Sequence, residues 1–275
     1  VSQPNLSATV REVEEELGIT VFMRNNRGIT VTAEGEEFLG YAKQVVEQYH
    51  LLENRYLNVE SKKKFSVSMQ HYSFAVKAFV QLAKEVGMDE YEFAVHETKT
   101  KEVIDNVKNL KSEIGVLYLS DFNEKVLRKL FKECDIEFKE LFTCNTYVYL
   151  WKKHPLAGKK VITLDDLQEY PCLTFEQGVN NSFYYAEEMM STYEYKRVIK
   201  ADDRATMLNL MVGLNGFTLC SGIISEDLNG DDYAAIPLKE SEKMHIGYIK
   251  HKGTKLSKLG EIYIDALKNY ENKVL

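Results

Sequence analysis

The chain has 275 residues, 44% of them hydrophobic and 28% charged, the balance of an ordinary water-soluble globular protein and enough for more than one unit of roughly 100 to 200 residues. Its net charge of −7 argues against a protein that grips nucleic acid through bulk positive charge. No apolar run approaches the ~20 residues of a membrane span and no signal peptide is visible, so a cytoplasmic protein with no membrane partner is expected.

The chain opens on Ser2-Gln3-Pro4-Asn5-Leu6-Ser7 and runs on to Gly18. Ser2 is a good helix N-cap, Pro4 sits in the first turn where its missing N–H costs nothing, and Gly18 is a natural stop. Leu6, Val10, Val13 and Leu17 recur at steps of four, three and four, which predicts one buried stripe. Gln3, Asn5, Ser7, Thr9 and Arg11 are left outward, on the face that a DNA major groove would meet. Leu17-Gly18-Ile19-Thr20-Val21-Phe22 and Arg24 follow, then a short wing, Asn25 to Val31, and then Thr32-x-x-Gly35.

Thr32 is placed to cap a second helix running to about Ser61. Phe38, Ala42, Val45, Tyr49, Leu52, Tyr56 and Val59 alternate at four and three, the spacing of a coiled-coil seam. At ~1.5 Å per residue the helix would span about 45 Å, too long for burial inside a small domain. A dimerising helix is expected rather than one packed on its own chain. Residues 1–64 carry eight basic against ten acidic side chains. Arg11, Arg24 and Arg27 nonetheless lie on the helix face and wing, while Glu12, Glu14, Glu15 and Glu16 bunch towards the helix end.

Lys62-Lys63-Lys64 marks a hinge into a different pattern. Strands at Phe65–Met69, Tyr91–His96 and Ile114–Leu119 alternate with helices at Tyr72–Val86 and near Thr100–Leu110, which implies parallel βαβ units with right-handed crossovers. A second round offers a strand at Tyr147–Leu150, a turn at Lys153–Leu156, a short helix at Leu164–Leu167 and a strand at Cys172–Phe175. A helix at Ser182–Tyr193, a strand at Arg197–Ala201, a helix at Thr206–Gly213 and a strand at Gly216–Cys220 complete it. The last strand, His245–Lys250, and the helix Leu256–Tyr270 have no neighbours in sequence and are expected to return to the first unit.

These parts together resemble the LysR-type transcriptional regulators. The likeness runs from Ser-Gln-Pro-x-Leu-Ser through Leu17-Gly18-Ile19-Thr20-Val21-Phe22-x-Arg24, the wing and the Thr32-x-x-Gly35 helix, to a two-lobed half similar to type 2 periplasmic binding proteins. It implies an α/β protein with a partial winged helix-turn-helix at 1–33, a dimerising linker helix at 34–61 and an effector-binding domain at 65–275. Lobe I would comprise 65–144 plus 245–275, and lobe II 145–244. The family pattern has two helices ahead of Ser2, so an N-terminally truncated DNA-binding domain is expected. Double-stranded DNA and a small-molecule effector are the implied partners, in a homodimer or homotetramer without a cofactor. Candidate DNA contacts are Ser2, Gln3, Pro4, Asn5, Ser7, Thr9 and Arg11, with Gln3 and Ser7 set for base edges, and Arg24 and Arg27 for phosphate or minor groove. Ala8 stands where the family often has Arg.

Enzymatic motifs do not emerge. There is no Gly-rich phosphate loop, no H-E-x-x-H and no G-x-S-x-G, and the six histidines show no metal-ligand spacing. The four cysteines, Cys134, Cys144, Cys172 and Cys220, are widely spaced and read as reduced thiols. Cys220 near the cleft would sense redox only with a lowered pKa and a resolving partner.

In open α/β sheets ligands sit beyond strand C-termini, where helix N-termini favour anions. Five such mouths are candidates: Gln70, His71, Tyr72 and Ser73; Thr98 and Thr100; Gln177, Asn180, Asn181 and Ser182, with Ser182 as cap; Arg204 with Thr206; and Cys220-Ser221-Gly222. The plainer reading of each residue is a cap or loop decoration, and Arg204 either binds an anion or pairs with Asp202 or Asp203. An amino acid or other small carboxylate is the expected effector. The competing reading is a solute-binding protein of a transport system, which would not need residues 2–35 and would need export.

Overall fold

In the computed structural model, which describes residues 3–25, 28–56, 62–87, 90–180, 182–224 and 226–270, helix α1 (Gln3–Leu17) stops at Gly18, whose φ of +68° suits a residue without a Cβ. The Glu14 carboxylate turns back over the break and accepts the amides of Val21 and Phe22 at 2.6 and 3.0 Å. That clamp sets the entry into β1 (Phe22–Asn25), which pairs antiparallel with β2 (Gly28–Val31) as the wing. Thr32 donates its amide to Val21 O at 3.0 Å, and its hydroxyl oxygen accepts the Gly35 amide at 2.9 Å, which caps α2 (Ala33–Tyr56). A Cβ on Gly35 would lie 2.3 Å from Val21 O. This close approach is the physical content of Thr32-x-x-Gly35.

One expectation about this unit, Val1–Ser61, needs correction. The predicted stripe is not buried: Leu6 and Leu17 are 59% and 53% exposed, and Val10 and Val13 only half-buried, because no other described element covers that face. Helix α2 is described to Tyr56, and Val59 and Ser61 lie outside the described residues.

The second unit, Lys62–Leu275, begins with β3 (Lys63–Met69), α3 (Ser73–Val86), β4 (Tyr91–Glu97), α4 (Thr100–Lys108), β5 (Ile114–Leu119), α5 (Glu124–Glu133) and β6 (Ile136–Cys144). It continues through β7 (Tyr147–Trp151), α6 (Leu164–Leu167), β8 (Cys172–Phe175), β9 (Val198–Ala201), α7 (Arg204–Leu214), β10 (Thr218–Cys220), α8 (Glu226–Asn229) and β11 (Tyr233–Pro237). It ends in β12 (Met244–His251) and α9 (Lys258–Lys268). Of these, α5, β6, α8 and β11 are additions to the elements expected from sequence.

The first lobe is a five-stranded sheet in the order β4-β3-β5-β12-β6. β3 runs parallel to β4 and β5, whereas β12 is antiparallel to β5 and β6. Every residue of β5 is buried because helices cover both faces. Ile114, Val116 and Tyr118 pack with Phe74 and Leu82 of α3 and Tyr263 and Leu267 of α9, and Leu117 and Leu119 pack with Val103 and Ile104 of α4 and Leu127 and Phe131 of α5. β12 and α9 do return to this sheet.

The second lobe holds the antiparallel sheet β10-β7-β11 and the parallel pair β8-β9, around Val148, Leu150, Leu167 and Phe217. The chain crosses between lobes after β6 and again before β12. Fully buried Thr146 ties the crossings together: its amide donates to Ser241 Oγ at 2.7 Å and its hydroxyl to Glu242 O at 2.9 Å.

The largest departure is Ser182–Tyr193, expected as a helix. Only Phe183–Tyr185 forms a single 3-10 turn. Met190 takes a φ of +56°, which no right-handed helix admits, and Glu187 and Glu188 are drawn into the interior. Tertiary hydrogen bonds to those carboxylates outweigh helix propensity.

Candidate functional site

Gln70 follows β3 and is almost fully buried. Its Nε2 donates to Thr100 Oγ1 at 2.6 Å, and its Oε1 accepts the Tyr72 hydroxyl at 3.0 Å and the Tyr118 amide at 3.2 Å. Thr100 carries the chain of bonds across to the second lobe, its hydroxyl donating to Tyr185 O at 2.7 Å and its amide to Gln177 Oε1 at 3.1 Å. Gln177 Nε2 donates in turn to Glu187 Oε1 at 2.9 Å. The other oxygen of Glu187 accepts the His71 amide at 2.9 Å and His71 Nδ1 at 2.8 Å. The His71 ring lies flat on Phe175, centroids 3.6 Å apart. Gln70, His71, Tyr72, Thr100 and Gln177, drawn from three separate sequence candidates, are therefore one network spanning both lobes.

Arg204 pairs with neither Asp202 nor Asp203, contrary to one expectation. Its Nε and Nη2 donate to Glu97 Oε1 at 3.2 and 2.9 Å, because Asp203 is occupied by Thr206 and Asp202 by Lys99 at 3.4 Å. Thr206 is a capping residue, its amide and hydroxyl bonded to Asp203 at 2.9 and 2.7 Å. Thr98, just ahead of α4, donates its hydroxyl to Glu102 in that helix. Ser182 is exposed and caps nothing with its side chain. Asn180 is half-buried on the loop, and Asn181 lies outside the described residues.

A cavity of about 90 Å³ opens between the lobes beside this network. His71, Tyr72, Ser73 and Phe74 at the start of α3 line one side, and Arg204, Met207 and Met211 of α7 with Thr218 and Leu219 of β10 line the other. Its walls are mainly apolar. Thr218 is 6% exposed and its hydroxyl has no hydrogen-bond partner, a costly state for a buried polar atom. The Tyr149 hydroxyl is also buried without a partner in hydrogen-bonding geometry, although the Asn229 side chain lies close enough to influence it. Glu188 also reaches the cavity. Burial, reinforced by the adjacent Glu187, pushes its carboxyl up to about 8, while its Oε1 accepts the Phe175 amide at 2.9 Å. A second, larger cavity of about 650 Å³ is lined by residues between Cys172 and Leu219, Gln177 and Ser182 among them. It belongs to one lobe and gathers fewer of the candidates.

Sequence reasoning misses Glu187, Glu188 and Thr218. Their signals are faint: two carboxylates inside Phe183-Tyr184-Tyr185-Ala186-Glu187-Glu188-Met189-Met190, and one hydroxyl between Phe217 and Leu219 in a buried strand. Burial pushes the Cys220 thiol up to about 12, the wrong direction for a redox nucleophile. Among the described residues, no group of three or more His, Cys, Asp or Glu side chains is placed to hold a metal ion, and no helix is long and apolar enough to cross a membrane.

On the DNA side, Asn5, Ser7, Thr9 and Arg11 are all exposed on α1, and Thr9 donates its hydroxyl to Asn5 O at 3.1 Å. Gln3 and Pro4 belong to α1 and Arg24 to β1, with side chains outside the described set. Ser2 and Arg27 lie outside the described residues.

Comparison with known proteins places these features. Residues 1–36 match the family of bacterial regulatory helix-turn-helix proteins, lysR family, and residues 88–271 match the LysR substrate binding domain. The HTH-type transcriptional regulator CysL of Bacillus subtilis is 25% identical over all of this chain and 91% of its own length. TdcA of Escherichia coli is 20% identical over 99% of this chain and 86% of its own. Among solved structures, a full-length OxyR variant from Pseudomonas aeruginosa superposes with a TM-score of 0.70 at 18% identity, covering 98% of this chain and 86% of that one. The effector-binding domain of QuiR in complex with shikimate gives 0.51 at 18% identity, over 78% of this chain and 99% of that one.

Proposed function

This chain belongs to the LysR family, as a ligand-responsive DNA-binding transcriptional regulator, and we propose that it senses a small carboxylate-bearing metabolite in the cavity between its lobes. The observation that carries this reading is the unpartnered Thr218 hydroxyl, buried in the wall of a cavity that both lobes must close. A site completed by closure binds its ligand differently in open and closed states, which is what lets a ligand shift an equilibrium. Tyr72, Ser73 and Thr218 would face the effector, while Gln70, Thr100 and Gln177 would hold the lobes in register. Shikimate, with which the effector-binding domain of QuiR is in complex, is a small carboxylate of the expected class.

The domain organisation in this reading is a DNA-binding segment of winged helix-turn-helix type at 1–33, a dimerising helix at 34–61 and an effector domain at 65–275, its lobes exchanging at 144–145 and 244–245. Gln3 and Ser7 would read base edges, and Arg24 and Arg27 would hold phosphate. A soluble cytoplasmic homo-oligomer follows from that assignment. The transport reading lacks support, because residues 1–36 match a DNA-binding family. LysR regulators are not enzymes.

Calorimetry with amino acids, shikimate and other small carboxylates tests the site. For a ligand that binds the wild type, Thr218→Val should weaken affinity by about tenfold, the loss of one hydrogen bond to a buried group. An unchanged affinity in T218V removes the cavity from the effector site.

A further inference from the structure

We propose that Glu187 is a built-in stand-in for the effector's carboxylate: it fills the anion position at the mouth of α3 and clasps the lobes until an effector carboxylate replaces it. This rests on the reading of the interlobe cavity as the effector site. Three mouths face the cleft, and each is already satisfied from within. The α4 mouth takes the neutral Gln177 amide oxygen at 3.1 Å, and the α7 mouth takes its own cap, Asp203, at 2.9 Å. Arg204 at the start of α7 and Lys99 at the start of α4 hold Glu97 and Asp202 across the cleft by side chains alone, whereas at α3 a carboxylate of the opposite lobe reaches the backbone, held by the His71 amide at 2.9 Å, His71 Nδ1 at 2.8 Å and Gln177 Nε2 at 2.9 Å. Those donors are the set an exogenous carboxylate would need.

Glu187 sits where it can leave. The segment from Ser182 to Tyr195 contains one 3-10 turn and no other regular element, so withdrawing Glu187 breaks no helix or strand ladder. The cavity with the unpartnered Thr218 hydroxyl adjoins the same donors and would receive the rest of the effector. An anion cannot simply be added, because the Glu187 carboxylate already holds these donors and a second anion would meet like charge in a low dielectric. Occupancy by Glu187 and by the effector therefore exclude one another, and the switch between them is a switch in the contact that joins the lobes.

Replacing Glu187 by Ala removes a fragment with the shape of acetate, so acetate is the probe. In the 275-residue chain, acetate at about 100 mM should raise the unfolding midpoint of E187A by about 3 °C over equimolar chloride, and should return the His71 backbone amide proton to its wild-type chemical shift. Acetamide should do neither, and E187Q, which fills the position with a neutral group, should not respond to acetate. Should E187A fail to fold in plain buffer, recovery in acetate but not acetamide is expected. Equal responses to acetate and acetamide, a response of E187Q as large as that of E187A, acetate stabilisation with the His71 amide unmoved, or no response at all overturns the proposal. The two readings separate cleanly. A normal acetate response with effector affinity unchanged in T218V removes the cavity as effector site and the proposal with it, whereas the opposite pair of results removes the role of Glu187 alone.

Discussion

Glu188 stands next to Glu187 at the cleft, and its carboxyl is buried beside the Phe175 amide that it accepts at 2.9 Å. Burial and the adjacent carboxylate raise its pKa to about 8, far above the ~4.3 of a free side chain. Below the unfolded value both states are protonated and burying Glu188 costs no charge. Between that value and about 8 the unfolded chain releases a proton that the folded chain keeps, so this residue's contribution to stability falls as pH rises, and above about 8 the loss is complete. The expected decline is on the order of a few kcal/mol between pH 5 and 8. Glu188→Gln keeps the acceptor for the Phe175 amide and abolishes the ionisation, so its unfolding midpoint should gain on the wild type steadily across that range. Parallel profiles for E188Q and wild type would show that Glu188 is ionised in the folded protein. The candidate site was legible at this scale mainly where a strand end feeds a helix start, as at Gln70 to Ser73, Thr100 and Arg204, with Gln177 the exception on a loop. Glu187 was not, because its place depends on an irregular segment folding back across the cleft, and no local periodicity encodes such a return.

Helix α9 shows how a single cap holds an element that closes the first lobe. The Ser257 amide and hydroxyl donate to the two oxygens of Glu113 at 2.7 and 2.8 Å, and the hydroxyl oxygen accepts the Gly260 amide at 3.0 Å. Glu113 is itself half-buried, and its carboxyl is pushed up by that desolvation. Ser257→Ala removes both side-chain bonds, leaving a helix amide and a half-buried carboxylate oxygen short of a partner. A loss of about 1 to 2 kcal/mol is expected, read as a fall of roughly 3 to 6 °C in unfolding midpoint; a change under about 1 °C would mean water replaces the hydroxyl at no cost. Element legibility followed covering. The strand β5 is apolar throughout because both faces are covered, and α1 and α2 declare themselves by caps and spacing. β6 hides its identity because Glu137, Lys139 and Glu140 interrupt its apolar positions on an edge strand, and α5 because only Leu127 and Phe131 of its ten residues are buried.

For the whole molecule the open question is what covers α2. Val45, Tyr49 and Leu52 of the predicted seam are 69%, 57% and 56% exposed, and an aligned row of large apolar side chains on a helix of 24 residues is what a partner chain would bury. A recognition helix that reads one half-site also needs a second copy to read the other. Val45→Asp separates the two places the seam can go. In a dimer the aspartate is an unpaired ion at a buried contact and costs several kcal/mol, so sedimentation should show the mass fall from oligomer to monomer. The effector unit should be unaffected, because Val45 lies outside Lys62–Leu275, and its unfolding and its response to effector in calorimetry should match the wild type. DNA affinity should drop and its salt dependence flatten, since a monomer neutralises half as many phosphates. An unchanged mass together with lowered stability would place the seam against its own chain, and DNA binding would then need another source of pairing.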